Sequence, residues 1–317
     1  MFHFDKQRTF LAPLAGFSDS PFRRICRKLG ADAVFTEMVN AIGLTSPLFS
    51  KTKRRYVYFL PPEKPIGIQL FGNDPGIMAD AASIGEELGF DFVDINMGCP
   101  MKKILKTGSG ALLMRDIRRA SMIVKRVKNN IRIPLSVKIR TGWDEQDNSY
   151  VDFASSLADS GADAIAVHPR TVSQGMEGKA DHGKTAAICK MSTAPHVIAS
   201  GGIETARDAV LVREMSGCDA IMVGRGALRN PLIFSEIRQF MNGTSESEFP
   251  GLADVILDHF DQVYAFYGEK APTFFRKQIT WYTRDLPGSA GFRRRISKVN
   301  DSEEMKSEIE SYFKKHR

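Results

Sequence analysis

Short apolar runs of strand length recur eight times in the first 224 residues, each separated from the next by room for a helix. They fall at 10–14, 33–37, 66–70, 92–96, 135–140, 164–168, 196–200 and 220–224. Between several of them the apolar positions take helical spacing, at 80–88, 119–128, 150–159 and 205–213. Turn punctuation repeats too: Gly30, Gly89, Gly161 and Gly217 each open a Gly-Xaa-Asp triplet ahead of a strand. This alternation predicts an α/β chain closed into a (β/α)8 TIM barrel. A doubly wound open sheet alternates in the same way. The barrel is favoured because polar side chains follow nearly every apolar run. Closure brings those positions to one mouth, whereas an open sheet strings them along an edge.

Beyond about residue 240 the pattern changes. Residues 241–249 (MNGTSESEF) and Pro250-Gly251 have linker composition, and helical periodicity without strands follows at 252–267, 272–285, 291–299 and 301–315. The expected organisation is a barrel domain at 1–243 and an all-helical domain at 244–317. A net charge of +7 suits a polyanionic partner without specifying one. Between Lys270 and Lys298 stand eight basic residues against one acid, interleaved with Phe274, Phe275, Trp281 and Tyr282. The aromatics read as core; Arg293, Arg294 and Arg295 read as a phosphate-binding patch. No apolar run approaches the ~18 residues that span a bilayer, and the N-terminal stretch lacks a secretory layout. A cytoplasmic monomer, with no membrane and no protein partner, is the expectation. The four cysteines, Cys26, Cys99, Cys189 and Cys218, form no CxxC or Cys/His pattern, so neither a disulfide framework nor a metal site is expected.

The strand ends carry the chemistry. Cys99 lies on a loop framed by Gly98 and Pro100, placed for access, while the other three cysteines read as buried and inert. A thiol with pKa near ~8.5 holds its proton at neutral pH and can donate it to a carbanion-like carbon. Lys102 and Lys103 follow, placed either to favour thiolate or to meet an RNA phosphate. Lys138 and Arg140 share one face of their strand, and two cations inside a barrel need an anion or an electron-rich ring. His168 ends the next strand at the same side. Ser200-Gly201-Gly202 and Gly224-Arg225 end the last two strands as a phosphate cradle, a common feature of barrels. Gln69 offers donor and acceptor to a ring edge, and Pro13, Leu14 and Ala15 let backbone lie against a flat ring. No carboxylate pair, Ser-His-Asp set or metal-ligand cluster accompanies them. A phosphate-anchored redox cofactor fits this inventory.

At these residues the chain resembles the tRNA-dihydrouridine synthase family, particularly its bacterial members. The matching stretches are 11–20 (LAPLAGFSDS), 36–39 (TEMV), 68–72 (IQLFG), 94–103 (DINMGCPMKK), 110–114 (GALLM), 137–143 (VKIRTGW), 168–181 (HPRTVSQGMEGKAD) and 222–234 (MVGRGALRNPLIF). NMGCP with KIRTGW downstream is the specific combination; the Gly-Arg loop is shared with many barrels. The resemblance implies an FMN enzyme using NADPH (or NADH) to reduce a uracil extruded from tRNA, with hydride reaching C6 and Cys99 protonating C5. It implies FMN held by Pro13, Leu14, Ala15, Gln69, Lys138, His168, Ser200, Gly201, Gly202, Gly224 and Arg225. Asn96 would orient the uracil, with Arg140 and Arg170 nearby. Lys102, Lys103 and Arg293–Arg295 would meet tRNA. Ser200 stands where the family usually has Asn, His182 where it has an aromatic residue, and Leu232 where it has Trp; the last two are expected to affect packing. The alternatives are an FMN barrel acting on a free pyrimidine and a noncatalytic tRNA-binding protein.

Overall fold

In the computed structural model, which describes residues 2–4, 8–48, 54–192, 195–243 and 249–315, eight parallel strands follow one another around a ring. They are β1 (Thr9–Leu11), β2 (Val34–Asn40), β3 (Ile66–Phe71), β4 (Phe92–Met97), β5 (Leu135–Arg140), β6 (Ala164–His168), β7 (His196–Ser200) and β8 (Ala220–Val223). β1 pairs with β8, and Phe10 bridges to Ala33 ahead of β2, so the sheet closes. The barrel is thus the correct choice over the open sheet. β1 stops short of the expected Leu14 because Pro13 has no N–H for the ladder, and the Leu14 N–H turns instead to Ser18 Oγ at 2.9 Å. β2 runs on to Asn40 through a register shift between Phe35 and Met38.

Helices α1 (Ser20–Lys28), α2 (Ala41–Thr45), α3 (Pro75–Glu87), α4 (Lys102–Leu105), α5 (Ile117–Asn130), α6 (Tyr150–Asp159), α7 (His182–Cys189), α8 (Ala206–Ser216), α9 (Arg225–Arg229) and α10 (Ile233–Asn242) fill the connections. α3 begins earlier than its apolar periodicity suggests. Asp74 caps it by accepting the Ile77 N–H at 2.9 Å, and Pro75 takes the first turn. Outward side chains such as Val93, Ile95, Val137 and Ile139 are wholly buried under this helical layer.

Inside the barrel, composition changes with height. At the N-terminal end of the strands Phe4, Phe10, Phe35 and Phe92 pack ring on ring, and Phe2 stacks on Phe92 at 4.7 Å. Gly67 is the residue that admits this plug, since a Cβ there would stand 2.0 Å from the Phe92 ring. Towards the C-terminal end the inward positions become polar: Gln69, Asp94, Asn96, Ser136, Lys138, Arg140, His168 and Ser200.

α10 ends at Gly243 in the left-handed conformation. Residues 244–248, where the sequence places the start of a second domain, lie outside the described residues. The chain then forms α11 (Leu252–Tyr267), α12 (Ala271–Tyr282), α13 (Ser289–Ile296) and α14 (Ser302–Lys314), with no strand among the described residues after β8. These helices seat against α1. Phe22, Cys26, Ile256, Phe260 and Phe275 belong to one buried core, and Phe275 and Tyr282 are core residues as their pattern suggests. Two hydrogen bonds tie the bundle to the loop after β1: Tyr267 OH donates to Asp19 at 3.0 Å and Gln278 Nε2 donates to the Phe17 carbonyl at 3.1 Å. Among the described residues no helix is long and apolar enough to cross a membrane.

Candidate active site

A cavity of about 250 Å³ opens at the C-terminal ends of the strands. It gathers Pro13, Leu14 and Ala15 after β1, Asn96 and Cys99 from β4 and its loop, Lys138 and Arg140 from β5, His168 and Arg170 from β6, Ser200–Gly202 after β7, and Gly224–Arg225 after β8. A larger cleft of about 630 Å³ lies at the opposite end, around Lys128, Asp163 and Asp219. Chemistry in barrels of this type sits at the C-terminal end of the strands, so the smaller cavity is the candidate.

Cys99 is half-buried on the loop leaving β4. Its backbone N–H donates to Asn96 Oδ1 at 2.9 Å, and the Gly98 N–H shares that oxygen at 3.3 Å. Burial pushes the thiol above its usual range; the Met101 backbone N–H and the Arg140 and Lys138 charges pull the other way without reversing it. Cys99 is therefore protonated at neutral pH. Lys102 and Lys103 project into solvent from α4 and are not among the groups acting on the thiol, so the idea that they favour thiolate is set aside.

Lys138 meets the cavity as a desolvated cation. Its pKa falls to about 8, through burial first and then the Arg140 charge, with Asp94 and Cys99 opposing the shift. No hydrogen bond or ion pair with a described residue satisfies its ammonium. His168 is held well below the usual imidazole range by burial first, then by the charges of Lys138, Arg140, Arg170 and Arg225, so its ring is neutral. Arg170 Nη1 lies 2.9 Å from His168 Nε2. Because a guanidinium only donates, Nε2 accepts and Nδ1 carries the proton.

The turn after β7 has no room for a side chain. Gly201 has φ +97, and a Cβ there would lie 2.6 Å from His168 Cδ2. His182 holds the turn from below, its Nε2 donating to the Gly201 carbonyl at 2.9 Å. Sequence reading had given His182 a packing role; what it packs is the cradle itself. Gly202 (φ +74) and the Gly224–Arg225 step complete a concave run of backbone beside a guanidinium, the chemistry of an anion site.

Four residues expected to contact ligand are held by hydrogen bonds within the protein. Gln69 is fully buried beneath the cavity rather than on its wall: Nε2 donates to Asp94 at 2.6 Å and Oε1 accepts from Asn96 Nδ2 at 3.0 Å. Asn96 reaches the cavity but has both ends of its amide occupied by Gln69, Met38 and the Cys99 loop. Arg140 braces two loops, donating to the carbonyls of Gly98 (2.9 Å), Thr171 (2.8 Å) and Gly175 (2.6 Å). Arg170 likewise holds the 177–178 backbone.

Beside the first cavity, sharing Ala15 and Met38 with it, lies a second of about 730 Å³. Lys103, Arg55 from the segment before β3 and Lys277 from α12 line it, with Tyr56, Tyr267 and Phe274 as aromatic walls. The sequence pattern singles out Lys103 but not Arg55. Arg293, Arg294 and Arg295 line neither cavity, and Arg295 pairs with Glu308 at 3.1 Å. No metal-ligating cluster occurs among the described residues.

Comparison with known proteins adds identity to this geometry. Two solved structures share the fold at 15% and 13% identity: histamine dehydrogenase from Rhizobium sp. 4-9 (TM-score 0.55, covering 81% of this chain) and a 2-naphthoyl-CoA reductase in complex with 2-naphthoyl-CoA (TM-score 0.58, covering 76%). This chain spans about half the length of each, 49% and 50%. The protein named tRNA-dihydrouridine synthase B of Pseudomonas aeruginosa is 35% identical over 312 residues, 96% of this chain and 92% of that protein. Its namesake in Vibrio cholerae is 35% identical over 316 residues, 97% and 96% of the two chains. The family model described as "Dihydrouridine synthase (Dus)" matches residues 10–317, barrel and helices together. The chain therefore belongs to the dihydrouridine synthase family.

Proposed function

We propose that this protein reduces the C5=C6 bond of a uridine in tRNA to 5,6-dihydrouridine, carrying FMN and drawing its electrons from NADPH. Family membership supports the reaction, and the names of the relatives support tRNA as the polymer. The observation that carries the reading is a protonated Cys99 on the same cavity as a desolvated Lys138 and a glycine cradle. The donor set fits a flavin mononucleotide. The cradle at Ser200–Gly202 and Gly224–Arg225, where a Cβ at Gly201 would strike the His168 ring, would take the phosphate. Pro13–Ala15, Lys138 and His168 would hold the ring, Lys138 and the Nδ1–H of His168 supplying positive charge and a donor to an electron-rich edge. When bound, the flavin supplies the hydride that adds at C6.

The chain's own residues do the rest. Hydride addition at C6 leaves the electron pair at C5, and the Cys99 Sγ–H bond breaks to place its proton there. The thiolate left behind faces Arg140 and Lys138, whose charges favour it until solvent returns a proton. Arg140 holds the loop in place meanwhile through the Gly98 carbonyl. A stacked base cannot reach this thiol, so the uridine must leave its stack to enter. The neighbouring RNA then runs past Lys103, Arg55 and Lys277, with Lys102 and Arg293–Arg295 as outer phosphate contacts. The helices α11 to α14 serve as the tRNA-gripping part.

The test is purified protein with NADPH and unmodified tRNA, with free uracil in parallel, read by nucleoside mass spectrometry. Dihydrouridine is expected in the tRNA and not in the free base. Cys99→Ala is expected to lower turnover by about 100-fold or more while flavin stays bound. A flavin-loaded preparation that yields no dihydrouridine in tRNA overturns the reading.

A further inference from the structure

One buried ionisable group has no part in the reaction as derived. Asp94 is fully buried on β4, on the inward face two residues before Asn96. Its Oδ1 accepts from Ser136 Oγ at 2.5 Å and its Oδ2 from Gln69 Nε2 at 2.6 Å. A carboxylate only accepts, so it fixes the direction of everything downstream. Gln69 must turn its NH2 to Asp94 and its oxygen to Asn96. Asn96 must then turn its NH2 to Gln69 at 3.0 Å and its oxygen to the N–H of Cys99 at 2.9 Å. One buried charge thereby sets the polarity of a hydrogen-bonded chain that ends on the loop carrying the thiol.

The same carboxylate faces Lys138. β4 and β5 pair with Asp94 opposite Ser136 and Asn96 opposite Lys138, which puts Lys138 one inward position further along the barrel than Asp94, near enough for each charge to act on the other. Around Lys138 stand Arg140 on its own strand, His168 on β6, Asp94 on β4 and Cys99 on the loop. Asp94 and Cys99 are the groups that favour its charge, and Cys99 is protonated at rest. Burial raises the Asp94 pKa to about 6, with Ser136, Gln69 and Lys138 pulling it back, so at neutral pH the carboxylate is largely ionised. A buried ammonium without a nearby anion is costly, and Asp94 is the anion within the fold that meets this need.

We propose that Asp94 is a positioning residue with two outputs: it supplies the negative charge that Lys138 sits against, and through Gln69 and Asn96 it pins the loop that carries Cys99. The first output rests on the flavin reading of the cavity. The second does not.

The experiment uses the full chain and Asp94→Asn, which keeps the shape and removes the charge, beside Gln69→Leu, which cuts the chain to the loop and leaves the charge. FMN affinity is followed against pH by quenching of flavin fluorescence. The wild type is expected to bind more weakly above about pH 8, where Lys138 loses its proton. In D94N that break moves to lower pH by about one unit, so that the gap to wild type opens between the two breaks and reaches roughly tenfold above the upper one. In Q69L the break stays where it is. Alkylation of Cys99 by iodoacetamide, resolved by peptide mass spectrometry, is expected to change several-fold in both variants. An unmoved break in D94N overturns the first output; unchanged alkylation in Q69L overturns the second. Wild-type protein that binds no FMN at any pH would instead refute the flavin reading and with it the first output, leaving alkylation to decide the second. Should D94N fail to fold, the double variant D94N/K138M, which removes both charges, is expected to recover the folded state. Failure of that double variant also overturns the charge pairing.

Discussion

Gly201 shows what a single position contributes. Its left-handed φ and the imidazole 2.6 Å from any Cβ mean that alanine must bend the turn or push His168 aside. Either movement alters the cradle and the ring that forms its wall. Strain of about 1–3 kcal/mol at such a site corresponds to roughly 5- to 150-fold weaker anion binding. Gly201→Ala is therefore expected to purify folded, by circular dichroism, yet pale, with little absorbance near ~450 nm. A fully yellow variant would contradict the placement of the phosphate. At this scale much was legible in the sequence: Cys99, Lys138, His168 and the two glycine steps follow strand ends, and closure of the ring brought them together. What the sequence did not disclose is how side chains are partnered. Gln69, Asn96 and Arg140 have the right chemistry to touch a ligand, but their hydrogen bonds run to protein because a buried amide or guanidinium must be satisfied somewhere. Asp94 was discoverable from the period of two that links it to Asn96. A carboxylate inside an apolar strand draws no attention until its neighbours are known.

Among elements, α1 has the most to hold, since the barrel and the terminal helices both press on it. Arg23 anchors it, wholly buried, through an ion pair with Glu63 at 2.6 Å and donations to the carbonyls of Ser18 and Tyr58. Ser20 Oγ adds a 2.6 Å hydrogen bond to the same carboxylate. Removing one member of such a pair strands the other charge in the interior. Glu63→Ala is expected to cost about 3–5 kcal/mol, read as a lower urea midpoint at unchanged m-value. A loss below about 1 kcal/mol would mean that the pair behaves as an exposed one. Element positions were readable to within a few residues where the apolar period was strong, as for β5 to β7 and α6. The misses have local causes. Pro13 cuts the ladder of β1, the shift near Phe35 lengthens β2, and the Asp74 cap starts α3 before its first apolar stripe.

At the scale of the whole molecule, the second cavity is assembled from three stretches far apart in sequence: Arg55, Lys103 and Lys277. Only docking of the terminal helices against the barrel puts the third beside the others, so this surface is a product of assembly. Were it the path of the RNA backbone, each of these cations would release about one counterion on binding. Replacing Lys103 and Lys277 by Ala is then expected to lower the slope of log K against log salt by about 0.7–0.9 for each residue removed. An unchanged slope would move the RNA elsewhere, with Arg293–Arg295 the next place to look. At the other pole, five phenylalanines pack ring on ring at the foot of the barrel, below the polar positions. Were an electron donor and a nucleobase both to enter from the open end of the ring, they would compete for one chamber of about 250 Å³. Turn-taking would then follow from the architecture, one visitor leaving before the other arrives, because the aromatic packing lies at the far end from the chemistry.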